Sequence, residues 1–216
     1  MAHELNYDFL CINEHWLKEE EITVLDIENY HVVSSFCRKN KIHGGVCILA
    51  RNDYSCTSLN LSRFSKEIDF EVAGVKCQEL QLVSIYRSPC GNFDIFLEQL
   101  VNTLQTMNFS KPTIVTADFN VKFNTKDERA MQLSDLFLTC GLRQTVFVNT
   151  RDASCLDNIF TNIDTCSTTV MDTCFSDHKV VGFTFDTTCY KDPISICINS
   201  KITYRPITKC RVIPNV

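Results

Sequence analysis

The strongest constraint on the fold of this chain is a succession of short apolar segments, which far outnumber its helical segments. The segments of strand length lie, in chain order, at residues 7–14, 30–36, 45–50, 69–77, 80–86, 113–116, 144–148, 157–161 and 180–185. Short runs rich in β-branched and aromatic residues and bounded by polar residues or glycine predict β-strands. Many strands with few, well-separated helices predict an α+β fold, in which helices lie outside packed sheets.

Two segments have the periodicity of an amphipathic helix. Residues 93–107 place apolar side chains three and four positions apart, and Asn92 is a suitable N-cap for this helix. The second helix is expected to begin at a capping box formed by Thr125 and Glu128 and to end at Gly141.

One domain accounts for most of the chain. The 216 residues, of which 44% are apolar and 22% charged, have an ordinary globular composition. The strand pattern ends near Asp186, and the residues beyond it carry five basic side chains against one acidic side chain. We therefore expect a domain over residues 1–186 and a basic linker or tail over residues 187–216.

Composition also bears on the cellular setting. No apolar run approaches the roughly 18 residues of a membrane span, and the first residues do not resemble a secretory signal, so neither is expected. The 13 cysteines are odd in number and lack the spacing of zinc sites. We expect reduced, mostly buried thiols in an intracellular protein without a disulfide-linked partner. The net charge of −5 argues against tight nonspecific nucleic-acid binding, but leaves open an enzyme that binds a backbone locally.

Polar side chains that suit a metal-dependent enzyme stand beside several of the predicted strands. They are Glu14, Asp118, Asn120, Asp157, Asp177 and His178. Asp118 and Asn120 are two residues apart, so both point to one face of an extended strand. A cluster of carboxylates at one edge of a sandwich suits a hard divalent cation together with water and a substrate phosphate.

Each of these residues also has an ordinary structural explanation when it is considered alone. Glu14 is then a solvated loop residue, and Asp118 and Asn120 form a turn through hydrogen bonds to their own backbone. Asp177 is then a helix cap beside a surface histidine, His178. Only the joint pattern beside the strands favours a functional site.

Six segments of the sequence resemble the endonuclease/exonuclease/phosphatase superfamily. They are Ile-Asn-Glu-His-Trp-Leu (12–17), the Gly-Gly region at 38–49, Ser-Ile-Tyr-Arg-Ser-Pro (84–89), Ile-Val-Thr-Ala-Asp-Phe-Asn (114–120), Ser-Cys-Leu-Asp-Asn-Ile-Phe-Thr-Asn (154–162) and Ser-Asp-His (176–178). They occur in the order of the family, with similar gaps. The subgroup they most resemble is the apurinic-like endonuclease domain of non-LTR retrotransposons.

This resemblance implies a deoxyribonuclease-I-like, four-layer sandwich that hydrolyses phosphodiester bonds with Mg²⁺ or Mn²⁺ and acts on DNA. It assigns Glu14 to the metal, and Asp177 to the metal or the leaving group. It places Tyr86 and Asn120 at the phosphate and Asp118 at the attacking water. It further implies that His178 donates a hydrogen bond to a phosphoryl oxygen while Asp157 holds its imidazole. Arg87 and Ser154 are expected to bind substrate, and a nuclear location follows from the resemblance alone.

The sequence departs from the family at its beginning. Family members carry a further strand and helix before the residue equivalent to Glu14, and the 13 residues that precede Glu14 here are too few for both. We therefore expect a domain that lacks these elements, with an uncovered sheet edge. The family glycine before Asp118 is Ala117.

Two alternatives to the endonuclease remain. One is a catalytically impaired retroelement relic, or a binding module, with the same fold. The other is a phosphatase or sphingomyelinase-type hydrolase of the superfamily, which Trp16-Leu17 and Tyr86-Arg87-Ser88-Pro89 disfavour because both segments resemble retroelement signatures.

Overall fold

Two six-stranded sheets packed face to face form the centre of the computed structural model. The structure describes residues 7–78, 80–174, 176–186 and 194–200, and for residues 199–200 it describes the backbone only. In chain order the strands are β1 Phe9–Asn13, β2 Tyr30–Phe36, β3 Val46–Arg51, β4 Cys56–Ser58, β5 Glu71–Cys77, β6 Leu80–Tyr86, β7 Thr113–Asp118, β8 Arg143–Gln144, β9 Asp157–Thr161, β10 Cys166–Met171, β11 Val180–Phe185 and β12 Ile194–Ser200. The helices are α1 Glu19–Ile22, α2 Phe93–Leu104 and α3 Glu128–Thr139, with a 3-10 turn at Ser62–Phe64.

The strand order is β10-β11-β12-β1-β3-β2 in the first sheet and β4-β5-β6-β7-β9-β8 in the second. The β1–β12 and β6–β7 pairs are parallel, and the other pairs are antiparallel. The expected α+β sandwich with mainly antiparallel sheets is therefore confirmed. In the described part of the chain, no helix is long and apolar enough to cross a membrane.

Three apolar layers hold these elements together. Aliphatic and aromatic side chains of both sheets, such as Ile48 and Leu82, fill the space between them. Helices α2 and α3 cover the outer face of the second sheet through residues such as Phe96 and Phe137. The outer face of the first sheet is covered more thinly, by Ile22 of α1 and neighbouring loop residues.

The helix starts show how local hydrogen bonds select the boundaries. Asn92 accepts hydrogen bonds from the backbone N–H groups of Asp94 and Ile95, so the expected cap of α2 is confirmed. The cap expected at Thr125 is wrong, because Asp127 accepts from the N–H groups of Arg129 and Ala130 and begins α3. A carboxylate is a stronger acceptor than a hydroxyl and also complements the positive end of the helix dipole.

Strands β4, β10 and β12 were not predicted, and β8 was predicted too long. Strands β4 and β10 are rich in Ser, Thr and Cys and are only partly buried, so their apolar pattern is weak. The strand expected over residues 144–148 pairs only at 143–144. The side chain of Asn158 accepts a hydrogen bond from the N–H of Val146, which diverts that group from the backbone ladder.

Strand β12 corrects the expected boundary at Asp186. Residues 194–200, assigned above to a linker or tail, lie inside the first sheet between β11 and β1. Ile194, Ile196 and Ile198 are buried in the inter-sheet core. Strand β1 thus has a neighbour on both sides, and the uncovered edge expected from a missing first strand is absent at this position in the described residues.

The register of β12 is fixed by the buried carboxylate of Asp8. Its Oδ2 accepts hydrogen bonds from the N–H and the Oγ–H of Ser195, at 2.7 and 2.9 Å. The N–H of Asp8 donates to the carbonyl of Ser195 at 2.8 Å. Arg51 balances the charge of Asp8, with Nη1 at 3.2 Å from Oδ1.

We predict that Asp8→Ala lowers the free energy of unfolding by at least about 1.5 kcal/mol, because its hydrogen bonds to a charged group are lost. Urea denaturation monitored by circular dichroism measures this change. The matched control is Asp53→Ala, which removes the exposed carboxylate that also pairs with Arg51. Equal losses in the two variants would show that Asp8 does not hold the strand.

Candidate active site

Three neighbouring strands of the second sheet bring an aromatic hydroxyl and two carboxylates to one end of that sheet. In β6 and β7, Tyr86 is the partner of Asp118, and in β7 and β9 Asp118 is the partner of Asp157. All three residues are buried. The strand pattern that ends each segment with a polar residue therefore creates a row of polar groups across the sheet.

His178 lies against this row from the segment that leads into β11. Its Nδ1 lies 2.8 Å from Oδ2 of Asp157, and its Nε2 lies 4.0 Å from Oδ2 of Asp118. The backbone N–H of His178 donates to Oγ of Ser176. The imidazole is thus oriented by Asp157, with its other nitrogen directed toward Asp118.

The cluster shifts the pKa values of its members. Burial alone would lower the pKa of His178, but the hydrogen bond that His178 donates to Asp157 and the charges of Asp157 and Asp118 outweigh it and raise the pKa to about 9. Burial and the neighbouring charge of Asp157 raise the pKa of Asp118 well above its usual range. An imidazolium is the charge that lets two carboxylates share this buried space.

Glu14 joins the cluster from the other sheet. It follows β1, and its Oε1 accepts a hydrogen bond from the hydroxyl of Tyr86. Burial and this contact with Glu14 raise the pKa of Tyr86, and the charge of Glu14 also raises the pKa of Asp118. Glu14 and Asp118 are therefore close enough to interact across the sandwich, as the sequence pattern predicts.

Two supporting residues were not identified from the sequence. Arg151 lies 2.6 Å from Oδ2 of Asp177 through Nη2 and 3.3 Å from Nε2 of His178 through Nη1. Thr150 is buried, and its Oγ1 accepts hydrogen bonds from the N–H groups of Leu156 and Asp157, which positions the start of β9. Their position seven and six residues before Asp157 gives no periodic signal, because they lie in a loop.

Asp177, which the resemblance assigns to the metal or the leaving group, lies at the rim of the cluster. Its side chain is 44% exposed and pairs with Arg151. The group of described residues whose ligand atoms lie within 4.8 Å of one another consists of Asp118, Asp157 and His178. A role of Asp177 at a metal stays a prediction.

Three residues expected to contact substrate make hydrogen bonds within the protein. The guanidinium of Arg87 is buried and donates to the carbonyls of Phe119 and Gly91, and its expected role in substrate binding stays a prediction. Asn120 donates through Nδ2 to the carbonyl of Arg87 and through its N–H to Asp118, which fixes the turn after β7. The backbone of Ser154 closes a turn with Arg151.

The turn that follows β7 decides where the side chain of Asn120 points. Asn120 has φ 49°, so the extended geometry assumed for Asp118 and Asn120 ends at Asp118. Asn tolerates this left-handed conformation better than most residues do. Asn120 thus orients Asp118 through its backbone, and its expected contact with phosphate stays a prediction.

The donor atoms fit a hard divalent cation. Mg²⁺ is held in proteins by one or two carboxylates, with water and substrate phosphate completing the shell. Glu14 and Asp118 offer such oxygens, whereas Nδ1 of His178 is engaged by Asp157. The close packing of Asp118 and Asp157 also leaves negative charge that a cation would offset.

Comparison with known proteins agrees with this geometry. A family model described as endonuclease-reverse transcriptase matches residues 80–182. This stretch contains Tyr86, Asp118, Asp157 and His178. A search of curated proteins found no match.

Solved structures share the fold at low sequence identity. A 3′ phosphatase, NExo, from Neisseria bound to a product DNA hairpin is 15% identical, with a TM-score of 0.60 over 86% of this chain and 91% of that one. TDP2 from D. rerio complexed with a single-strand DNA product is 15% identical, with a TM-score of 0.59 over 86% and 88%. An endonuclease/exonuclease/phosphatase family protein from Leptotrichia buccalis is 16% identical, with a TM-score of 0.57 over 86% and 90%. The chain is thus similar to this family over residues 80–182, and it shares the fold of these solved structures.

Proposed function

We propose that this protein is a divalent-metal-dependent phosphodiesterase that nicks DNA, of the type found in non-LTR retrotransposons. The observation that carries the proposal is the convergence of Glu14, Tyr86, Asp118, Asp157 and His178 at one rim of the sandwich. A purely structural role would not explain why an imidazole and two carboxylates are buried together, because burying charged groups is costly unless they are paired.

His178 supplies positive charge in the proposed reaction. Hydrolysis of a phosphodiester builds negative charge on the nonbridging oxygens, and a preorganised cationic donor stabilises that charge. The pKa of about 9 keeps His178 protonated near neutral pH, and Asp157 fixes the direction of its ring. Its Nε2–H can then donate to a phosphoryl oxygen, with Arg151 adding positive charge nearby.

Asp118 takes the proton from the attacking water. The water oxygen bonds to phosphorus, the bond from phosphorus to the leaving sugar oxygen breaks, and that oxygen is protonated by solvent. The neighbouring charge of His178 favours the ionised form of Asp118, which is the form that can accept a proton. The N–H of Asn120 holds one oxygen of Asp118 at 3.1 Å, which orients the base.

Glu14 would hold Mg²⁺ or Mn²⁺ through its carboxylate oxygens, with water and the substrate phosphate completing the shell. The cation, when bound, supplies charge neutralisation at the substrate phosphate. Tyr86 donates to Glu14 and thereby positions its carboxylate. The choice of Mg²⁺ or Mn²⁺ as the bound metal belongs to this proposal.

DNA as the substrate is supported by two structural neighbours and by the family whose model matches the chain. TDP2 and NExo were each solved with product DNA, and the family model is described as endonuclease-reverse transcriptase. We also propose that the catalytic domain extends through β12, since residues 194–200 complete the first sheet. A nuclear location would follow from action on chromosomal DNA.

The second candidate is a DNA-binding module that has lost catalysis. A departure from the family beside the site favours it, because Ala117 stands where the family has a glycine before Asp118. The intact cluster of Asp118, Asp157 and His178 favours the enzyme.

We predict that the folded protein converts supercoiled plasmid to the nicked form with Mg²⁺ or Mn²⁺ and that a chelator stops the reaction. Agarose gel electrophoresis over a time course gives the rate. Binding of DNA in a mobility-shift assay without nicking under either metal would identify the binding module instead.

We predict that His178→Ala and Asp118→Asn each lower the nicking rate by about 10²-fold or more, because one removes charge stabilisation and the other removes the base. The matched controls are His31→Ala and Asp53→Asn, at exposed positions that bond to Asn52 and Arg51. A loss below about threefold in either site variant would remove that residue from the mechanism.

The raised pKa of His178 predicts a pH-dependent stability in metal-free protein. The folded state holds the proton more tightly than the unfolded state, whose value is 6.5, so the contribution of His178 is complete below pH 6.5. It is lost as the pH rises through about 9. We therefore expect the difference in unfolding free energy between the wild type and His178→Gln to shrink toward alkaline pH.

Urea denaturation in the presence of a chelator, repeated over this pH range, measures that difference. His31→Gln is the control, because His31 is exposed. A difference that stays constant or grows as the pH rises would contradict the assigned charge of His178.

A further inference from the structure

A stacked pair of exposed aromatic rings lies beside the candidate active site. The rings of Trp16 and His43 have centroids 4.1 Å apart and an interplanar angle of 27°. Trp16 is 38% exposed, and His43 belongs to an exposed stretch of the loop between β2 and β3. Neither residue has a role in the reaction proposed above.

The backbone and side chains connect this pair directly to the site. Trp16 is two residues from Glu14, and its N–H donates to the carbonyl of Gly44 at 2.9 Å. Arg38 lies with its guanidinium carbon 5.8 Å from the ring centroid of Tyr86, and its Nη1 donates to the carbonyl of Ile42. The loop that carries His43 is therefore linked to the same tyrosine that contacts Glu14.

Two carboxylates hold that loop in place. Glu67 accepts hydrogen bonds from the backbone N–H groups of Lys39, Asn40 and Lys41, at 2.6 to 3.1 Å. Glu71 is buried and accepts from Nε of Arg38 and from the N–H of Gly45. The loop is thus tied at both ends, and His43 between them has little freedom.

The backbone around the pair is strained. Glu14, Trp16 and His43 have φ values of 51°, 60° and 64°, in the left-handed region that non-glycine residues rarely adopt. Such residues are energetically unfavourable and persist where the surroundings enforce them, which is most common at functional sites. Gly45 must lack a side chain here, because a Cβ would lie 2.5 Å from the ring of His15.

Rigid, exposed aromatic rings next to a phosphodiesterase site suit one kind of ligand. A nucleobase stacks on an aromatic ring regardless of its identity, because every base has a π face. A base inside a duplex has both faces covered by its neighbours, so the platform favours an unpaired base. The exposed side chains of Lys39 and Lys41, in the same loop, add positive charge for the adjacent phosphates.

We propose that the Trp16–His43 pair stacks on an unpaired nucleobase next to the cleaved phosphodiester, and so favours DNA that is single-stranded or frayed on one side of the cut. This inference rests on the proposed function, since the ligand is the DNA substrate. Base stacking on Trp16 converts to a change in affinity of roughly 5- to 150-fold.

The test uses the fluorescence of Trp16, the single tryptophan of the chain. His178→Ala protein with Mg²⁺ is titrated with a blunt duplex and with a duplex of the same sequence that carries a single-stranded flap beside a nick. We expect stronger quenching and tighter binding with the flap. Replacing one base at a time by an abasic site is expected to abolish the quenching at a single position.

Substitutions of Trp16 distinguish a loss of base stacking from a loss of folded structure. Trp16→Ala is expected to weaken flap binding, measured by fluorescence anisotropy of labelled DNA, by roughly 5- to 150-fold. Trp16→Phe keeps a ring and is expected to restore most of the affinity, which shows that a loss in Trp16→Ala is not misfolding. The matched control is Ile42→Ala, which shortens a side chain that is 80% exposed in the same loop and should leave binding unchanged.

The outcomes distinguish this inference from the proposed function. Wild-type protein that nicks DNA, with Trp16 unquenched and Trp16→Ala binding as tightly as wild type, overturns the stacking platform alone. Quenching and flap preference without nicking by the wild type support the platform and overturn catalysis. Equal quenching by the blunt duplex and the flap overturns the preference for an unpaired base.

Discussion

The burial of two carboxylates side by side is the constraint on which the site depends. Asp118 and Asp157 are partners in adjacent strands, so their charges cannot be separated without breaking the ladder between β7 and β9. Positive charge must therefore come from outside the strands, and His178 supplies it from the segment before β11. This requirement links the two sheets electrostatically, because β11 belongs to the first sheet and the carboxylates belong to the second.

Much of the fold follows from short-range pattern. The limits of β2, β6, β9 and β11 coincide with the apolar runs, and Asn92 caps α2, because each of these features depends on a few neighbouring residues. The boundaries that could not be predicted depend on distant partners. Strand β12 is recognisable only once β1 and β11 leave a gap between them, and the end of β8 depends on a side chain of β9.

The sequence predicts which residues form the candidate site better than it predicts where their side chains point. Glu14, Asp118 and His178 could be identified because they are polar residues that stand beside predicted strands. Neighbouring strands in a sheet bring such positions together. The direction in which each side chain points is harder to predict. Arg87 also follows a strand, but its guanidinium points inward and donates to backbone carbonyls. Pattern cannot reveal a left-handed turn such as that at Asn120, which decides where the side chains beyond the strand point.

The position of β12 late in the sequence determines when the first sheet can form. Asp8 and Ser195 are 187 residues apart in the chain, yet they contact each other at the centre of that sheet. Contacts of such long range slow folding, because the loop between them must close before the contact contributes. During synthesis, β1 and β3 would emerge early and keep one edge open until residues 194–200 leave the ribosome. Until then that open edge is exposed to pairing with other chains.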